Sequence, residues 1–150
     1  MKILLFVVLN LITFYSYAST DYKKPQSPTE LHQLFAEYFS KQDIDGLGTL
    51  FHEDAIFVLD NQGNLARGPK AIKPILKSYL QGDVEMLTHD VSIYINGDTA
   101  LIRSDWEIVG GPKGTALEVM RYVDGGWLYV IDNPNGFKCL LHFGALETKA

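Results

Sequence analysis

From Val84 to Asn133 the chain alternates short apolar segments with glycine-bearing turns, and this half limits the possible folds more than any other feature. Segments at Val84–Ile95, Thr99–Val109, Thr115–Val123 and Trp127–Ile131 are joined at Asn96-Gly97-Asp98, Gly110 to Gly114 and Asp124-Gly125-Gly126. Such connections are too short for a crossover, so successive strands must form hairpins. The expected sheet is therefore antiparallel. Upstream the period changes. Ser27-Pro28-Thr29-Glu30 combines a capping residue, a proline at the first helical position and a capping-box glutamate. Leu31, Leu34, Phe35, Tyr38 and Phe39 follow at helical spacing. Asp43 caps a shorter helix through Leu47, Leu50 and Phe51, despite Gly46 and Gly48. Ala55–Asp60 reads as a strand, and Leu65 to Arg67 as its short return. Gly68-Pro69 opens a third helix that places Ile72, Ile75, Leu76 and Tyr79 on one side. Helices followed by hairpins define an α+β fold, with the helices packed on one face of a curved antiparallel sheet. A half-barrel of that kind, conical in shape, encloses an internal pocket.

Residues 1–18 are set apart from this domain. Lys2, an apolar run from Ile3 to Phe14 and Ser16-Tyr17-Ala18 have the layout of a signal peptide, and the run is too short to span a bilayer. Residues 19–26 read as a flexible lead-in, and 27–150 as one domain. The expected location is periplasmic or secreted, with no membrane attachment once the signal is removed. A formal net charge of −5 without a basic stripe argues against nucleic acid as a partner. Cys139 is the one cysteine, so no internal disulfide is available. His32, His52, His89 and His142 are scattered without metal-ligand spacing, and no phosphate loop, dinucleotide fingerprint or serine elbow is present. No metal or organic cofactor is expected.

Strand parity nominates pocket residues. In the segment from Val84, the odd positions Leu87, His89, Val91, Ile93 and Ile95 form the apolar side, which brings His89 inward. In the next, Ala100, Ile102, Ser104, Trp106 and Ile108 do so, with Trp106 facing the interior. Thr115–Val123 is ambiguous. If Ala116, Glu118, Met120 and Tyr122 face inward, Glu118 is a carboxyl among apolar neighbours and suited to proton transfer beside His89. If the other face is buried, Glu118 pairs with Arg103 or Arg121 at the surface. Leu128, Val130 and Asp132 share one face, and Trp127, Tyr129 and Ile131 the other. Asp132 either closes the strand through a turn into Asn133-Pro134-Asn135-Gly136 or belongs to the pocket.

The stretches "LFAEYFSKQDIDGLGTLFHEDAIFVLDNQGNLARGPKAI", "NGDTALIRSDW" and "MRYVDGGWLYVIDNPNG" resemble the SnoaL-like branch of the nuclear transport factor 2-like superfamily, which includes ketosteroid isomerases and polyketide cyclases. The resemblance covers roughly residues 27–136 and implies a cavity, a homodimer formed through the sheet, and Asp132 near the pocket mouth. Carried over from the isomerases, the helix tyrosine position falls on Phe35, with Tyr38 one turn on. The base position falls on Leu59, with Asp60 one residue away, and the later acid falls on Glu118. Only Glu118 matches in type, so the resemblance argues against ketosteroid isomerase activity itself. Three functions stay open. The first is binding of a small hydrophobic or aromatic molecule, with Phe35, Trp106, Met120, Tyr122 and Asp132 lining the pocket. The second is acid–base isomerisation or cyclisation by Glu118, His89, Asp60 and Tyr38. The third is a structural dimer without turnover.

Overall fold

The computed structural model describes residues 21–137. The expected signal peptide, Cys139, His142 and the apolar C-terminal stretch fall outside these residues. Within them the chain forms α1 (Pro28–Ser40), α2 (Ile44–Thr49), β1 (Phe51–Val58), β2 (Leu65–Arg67), α3 (Gly68–Tyr79), β3 (Met86–Asn96), β4 (Thr99–Ile108), β5 (Lys113–Val123) and β6 (Gly126–Asn133).

Capping chemistry fixes the helix starts. Ser27 Oγ accepts the Glu30 backbone N–H at 3.1 Å, and Glu30 Oε2 accepts the Gln26 N–H at 2.6 Å, which closes the capping box one residue earlier than the motif demands. Asp43 Oδ1 accepts the Gly46 N–H at 2.9 Å and starts α2. Strand β1 begins at Phe51, four residues before the sequence pattern suggests, because Phe51 already pairs with Tyr129 on β6.

The six strands are ordered β2-β1-β6-β5-β4-β3 in one open sheet. The helices cover its concave face, giving the α+β half-barrel. One expectation about pairing fails. β1 and β6 run parallel, so the sheet is mixed. Hairpin logic governs only consecutive strands; between β1 and β6 the chain crosses through α3 to the far edge and returns strand by strand. The core lies between helices and sheet, where Leu31, Phe39, Leu47, Leu50, Ile72, Ile102, Met120 and Tyr129 are fully buried. Each such side chain contributes roughly 1.5–3 kcal/mol by leaving water.

Among the described residues the register shifts at three places: between Phe51 and Ile56 on β1, and at two bulges that bear on the site. Between Thr88 and Val91, β3 advances three residues while β4 moves from Trp106 to Ser104. Between Tyr129 and Ile131, β6 carries one residue more than the Met120–Val119 step opposite. A bulge inverts which parity faces the core, so side assignments made from alternation fail on one side of it.

The segment before α1 is also different from expectation. Residues 21–26, read as a flexible lead-in, lie across the β5–β6 turn. Pro25 is fully buried and its carbonyl accepts the Trp127 N–H at 2.8 Å. Gln26 Nε2 donates to Gly125 O at 2.8 Å, and the Tyr22 hydroxyl donates to Asp43 at 3.0 Å. Gly126 permits this approach: a Cβ there would stand 3.0 Å from Lys24 Cβ and 3.3 Å from Pro25 O.

Candidate functional site

Between α1, α3 and the inner face of β3–β6 lies a cavity of about 140 Å³. Helix α1 contributes His32, Phe35 and Phe39 to its lining, β1 adds Phe57, and α3 adds Leu76 and Tyr79. The sheet supplies Met86 and Thr88 from β3, Ser104, Trp106 and Ile108 from β4, Ala116 and Glu118 from β5, and Tyr129 and Asp132 from β6. The exposed residues Pro112, Lys113 and Asn135 mark the mouth. There Trp106 Nε1 donates to Pro134 O at 2.7 Å, which fixes the indole as one wall. Opposite it on β5, Gly114 leaves the space, since a Cβ would stand 3.0 Å from the indole ring.

The walls are apolar and the floor is not. Glu118 and Asp132 each retain only 5% exposure and are directly opposed across the antiparallel β5–β6 pair, so their carboxyls project from the same face. His32 Nε2 lies 3.1 Å from Glu118 Oε2, but its N–H is not aligned for a hydrogen bond; the contact is a close approach of two polar atoms. Ser104 Oγ donates a long 3.4 Å bond to the same oxygen. The Tyr129 ring meets the His32 ring edge-on, centroids 6.0 Å apart.

Burial pushes the Asp132 carboxyl well above the usual carboxylate range, and the neighbouring Glu118 charge pushes it further in the same direction. Burial likewise raises the Tyr129 phenol well above its ordinary value, reinforced by Glu118 and Asp132. The floor thus joins a carboxyl whose proton affinity burial raises to a second carboxyl approached by a histidine and a serine.

Of the residues nominated from sequence, Glu118, Asp132, Phe35 and Trp106 meet at this cavity. Strand β5 buries Ala116, Glu118 and Met120, which resolves the ambiguity over its faces. Met120 lies in the core outside the cavity lining. Tyr122 is 41% exposed at the end of β5 and packs against Trp127, beyond the cover of the helices. Tyr38 is buried against Tyr22, away from the cavity.

His89 is a correction. It stands on the outer face beside Glu107 at 3.3 Å, because the β3 bulge inverts parity and brings Met86 and Thr88 inward instead of Leu87 and His89. Asp60 is another. It is a turn residue between β1 and β2, accepting bonds from the Gln62 and Asn64 backbones and the Asn64 amide, which hold its carboxyl below the ordinary range. His32 is the residue that sequence reasoning missed. Its signal was its position three residues before Phe35 and seven before Phe39, on one helical stripe. Among the described residues no group of three His, Cys, Asp or Glu side chains lies within metal-binding reach of one another.

A helix-covered open sheet with an acid-floored cavity defines a class of small pocket domains. The SnoaL-like domain profile matches residues 31–132, and the chain belongs to that family. Among solved structures it is similar to a protein of unknown function from Mycobacterium tuberculosis, with TM-score 0.63 and 21% identity over 75% of this chain and 70% of that one. It is also similar to a provisionally assigned calcium/calmodulin-dependent protein kinase type II association domain from Thiobacillus denitrificans, with TM-score 0.66 and 15% identity over 77% and 99% of the two chains. A third, provisionally assigned as a scytalone dehydratase from Novosphingobium aromaticivorans, has TM-score 0.61 and 16% identity over 70% and 78%. At these identities the likeness establishes the fold. Among curated proteins none matches the sequence significantly.

Proposed function

We propose that this chain is an exported acid–base enzyme acting on a small, largely apolar molecule bound in the cavity. One observation carries the reading: Glu118 and Asp132 are buried side by side, with His32 Nε2 at 3.1 Å from Glu118. Burying a carboxyl, charged or neutral, costs free energy unless its polar atoms are fully paired, and a core serving only to fold does not require two of them. Proton-transfer chemistry needs one group that gives a proton and another that takes it, with environments that separate their affinities. Asp132 suits the donor. Glu118 suits the acceptor, with Ser104 Oγ donating to it at 3.4 Å and His32 Nε2 3.1 Å away. Isomerisation, cyclisation and elimination of water all require such a pair, and the provisional dehydratase assignment of the Novosphingobium neighbour agrees in kind. Removal of the N-terminal signal would place the enzyme in the periplasm or outside the cell.

We further propose that it works as a homodimer joined through the outer face of the sheet. The support is an apolar row in which Tyr94 pairs with Leu101, Leu101 with Val119, and Val119 with Ile131.

Native mass spectrometry of the protein purified without denaturation tests both readings. The expected result is a dimer carrying extra non-covalent mass. With the ligand class identified, Glu118→Gln and Asp132→Asn should each lower turnover by roughly two orders of magnitude or more while the fold persists. Binding without any effect of either substitution on conversion would reduce the protein to a ligand carrier.

A further inference from the structure

Resting on the cavity reading above, we infer that Glu118 makes the cavity selective for ring compounds whose polar end is an uncharged hydroxyl or carbonyl, and that it keeps ring carboxylates out. The argument is one of position and charge. A ligand with its ring between Phe35 and Trp106 delivers its polar end to the floor, where Glu118 and Asp132 are neighbours on paired strands. A carboxylate there would bring a second negative charge up to Glu118 in a site shielded from water, and like charges repel strongly where the dielectric is low.

The cations near the site do not offset this. Lys113 lies at the exposed mouth, opposite Glu107 on the neighbouring strand. His32 Nε2 stands 3.1 Å from Glu118 Oε2, so that carboxyl is the acidic group nearest to it. The same contact works against a cationic ligand. Glu118 Oε2 is approached by both His32 Nε2 and Ser104 Oγ, so an ammonium group would have to displace them to reach it. An uncharged hydroxyl or carbonyl meets no such conflict, and Asp132, on the same floor, is placed to hydrogen-bond it.

Size sets the probes. Dry cavities of about 150 Å³ accommodate a benzene ring, close to the 140 Å³ here. The test is an NMR titration with p-cresol, p-toluate and 4-methylbenzylammonium at neutral pH, read at the Trp106 indole N–H. We expect p-cresol to bind and p-toluate to bind about tenfold more weakly or worse, with the ammonium probe also weaker than p-cresol. In Glu118→Gln the gap between cresol and toluate should shrink to about threefold or less. Should that variant lose the wild-type amide spectrum, Glu118→Met serves the same purpose, and the wild-type comparison stands without either.

Equal affinity for cresol and toluate in the wild-type protein overturns the inference while leaving the cavity reading intact. So does an unchanged gap in a folded Glu118 variant, since exclusion would then come from desolvation alone. An ammonium probe that outbinds p-cresol overturns it in favour of an amine site. Failure of all three probes to shift Trp106 removes the cavity reading and this inference with it.

Discussion

Tyr129 and Asp132 face the same cavity although they are three residues apart on one strand, a spacing that regular alternation would send to opposite sides. The extra residue between Tyr129 and Ile131 on β6 makes this possible. It sets a phenol and a carboxyl together on the floor and leaves Asp132 directly across from Glu118. The site therefore depends on a backbone irregularity as much as on its side chains.

The raised Asp132 proton affinity has a consequence for stability. A carboxyl that holds its proton more tightly when folded favours the folded state fully only below its unfolded value of about 3.9. That contribution is lost as pH rises from there through the raised folded value. Asp132→Asn removes the group. Urea midpoints should show the variant gaining on the wild type as pH rises from about 4 through neutrality. A difference that stays constant with pH would mean Asp132 titrates normally in the folded protein.

Trp106 is predicted to act as a wall rather than as a reacting group. Trp106→Phe keeps the aromatic surface and loses only the bond to Pro134 O, a net change of about 0.5–1.5 kcal/mol. Trp106→Ala opens the wall. Calorimetry with a captured ligand should find affinity roughly tenfold or more lower for the alanine variant and within a few-fold of wild type for phenylalanine. Similar losses for both would locate the ligand elsewhere.

The proposed dimer makes a separate prediction. Leu101 is 45% exposed at the centre of the outer row, and Leu101→Glu places a charge where two copies would meet. At such a surface position the monomer's stability should change by about 0.5 kcal/mol or less. Light scattering should report monomer in place of dimer, with the cavity still able to bind. A dimer that survives the substitution uses another face.

Gly126→Val tests the packed N-terminal segment. The added atoms would meet Lys24 Cβ and the Pro25 carbonyl and lift residues 21–26 from the β5–β6 turn. Overpacking of this kind costs about 1–3 kcal/mol, which a thermal melt resolves. Faster hydrogen exchange at the Trp127 N–H, now bonded to Pro25 O, should accompany the loss. An unchanged melt would mean the segment adds little to stability.

Much of the fold was legible in the chain. Ser27, Pro28 and Glu30 announced α1, the Gly-bearing turns announced the hairpins, and the inner face of β4 followed from its alternation. Alternation left Glu118 two possible faces and only the burial of β5 chose between them, whereas Trp106 was accessible by the same reasoning as β4. His89 was not, because alternation carries no signal for a bulge: the sequence around Thr88 to Val91 is compatible with a regular strand, and only pairing with Trp106 and Ser104 reveals the extra residue. His32 went unrecognised for a related reason. A polar residue on an apolar helix stripe gains meaning only from what packs opposite, and its partner Glu118 is 86 positions away in the chain.

Local chemistry therefore determined the elements of this protein: caps, periodicity and turns act within a few residues and can be read in order. Tertiary structure decided the parallel joining of β1 to β6, the two bulges, the docking of residues 21–26 and the meeting of His32, Glu118 and Asp132. Each depends on the free energy of burying one distant segment against another. Asp132 is the plainest case, since its turn is written in the residues around it, whereas its place in the cavity floor is set by the strand across from it.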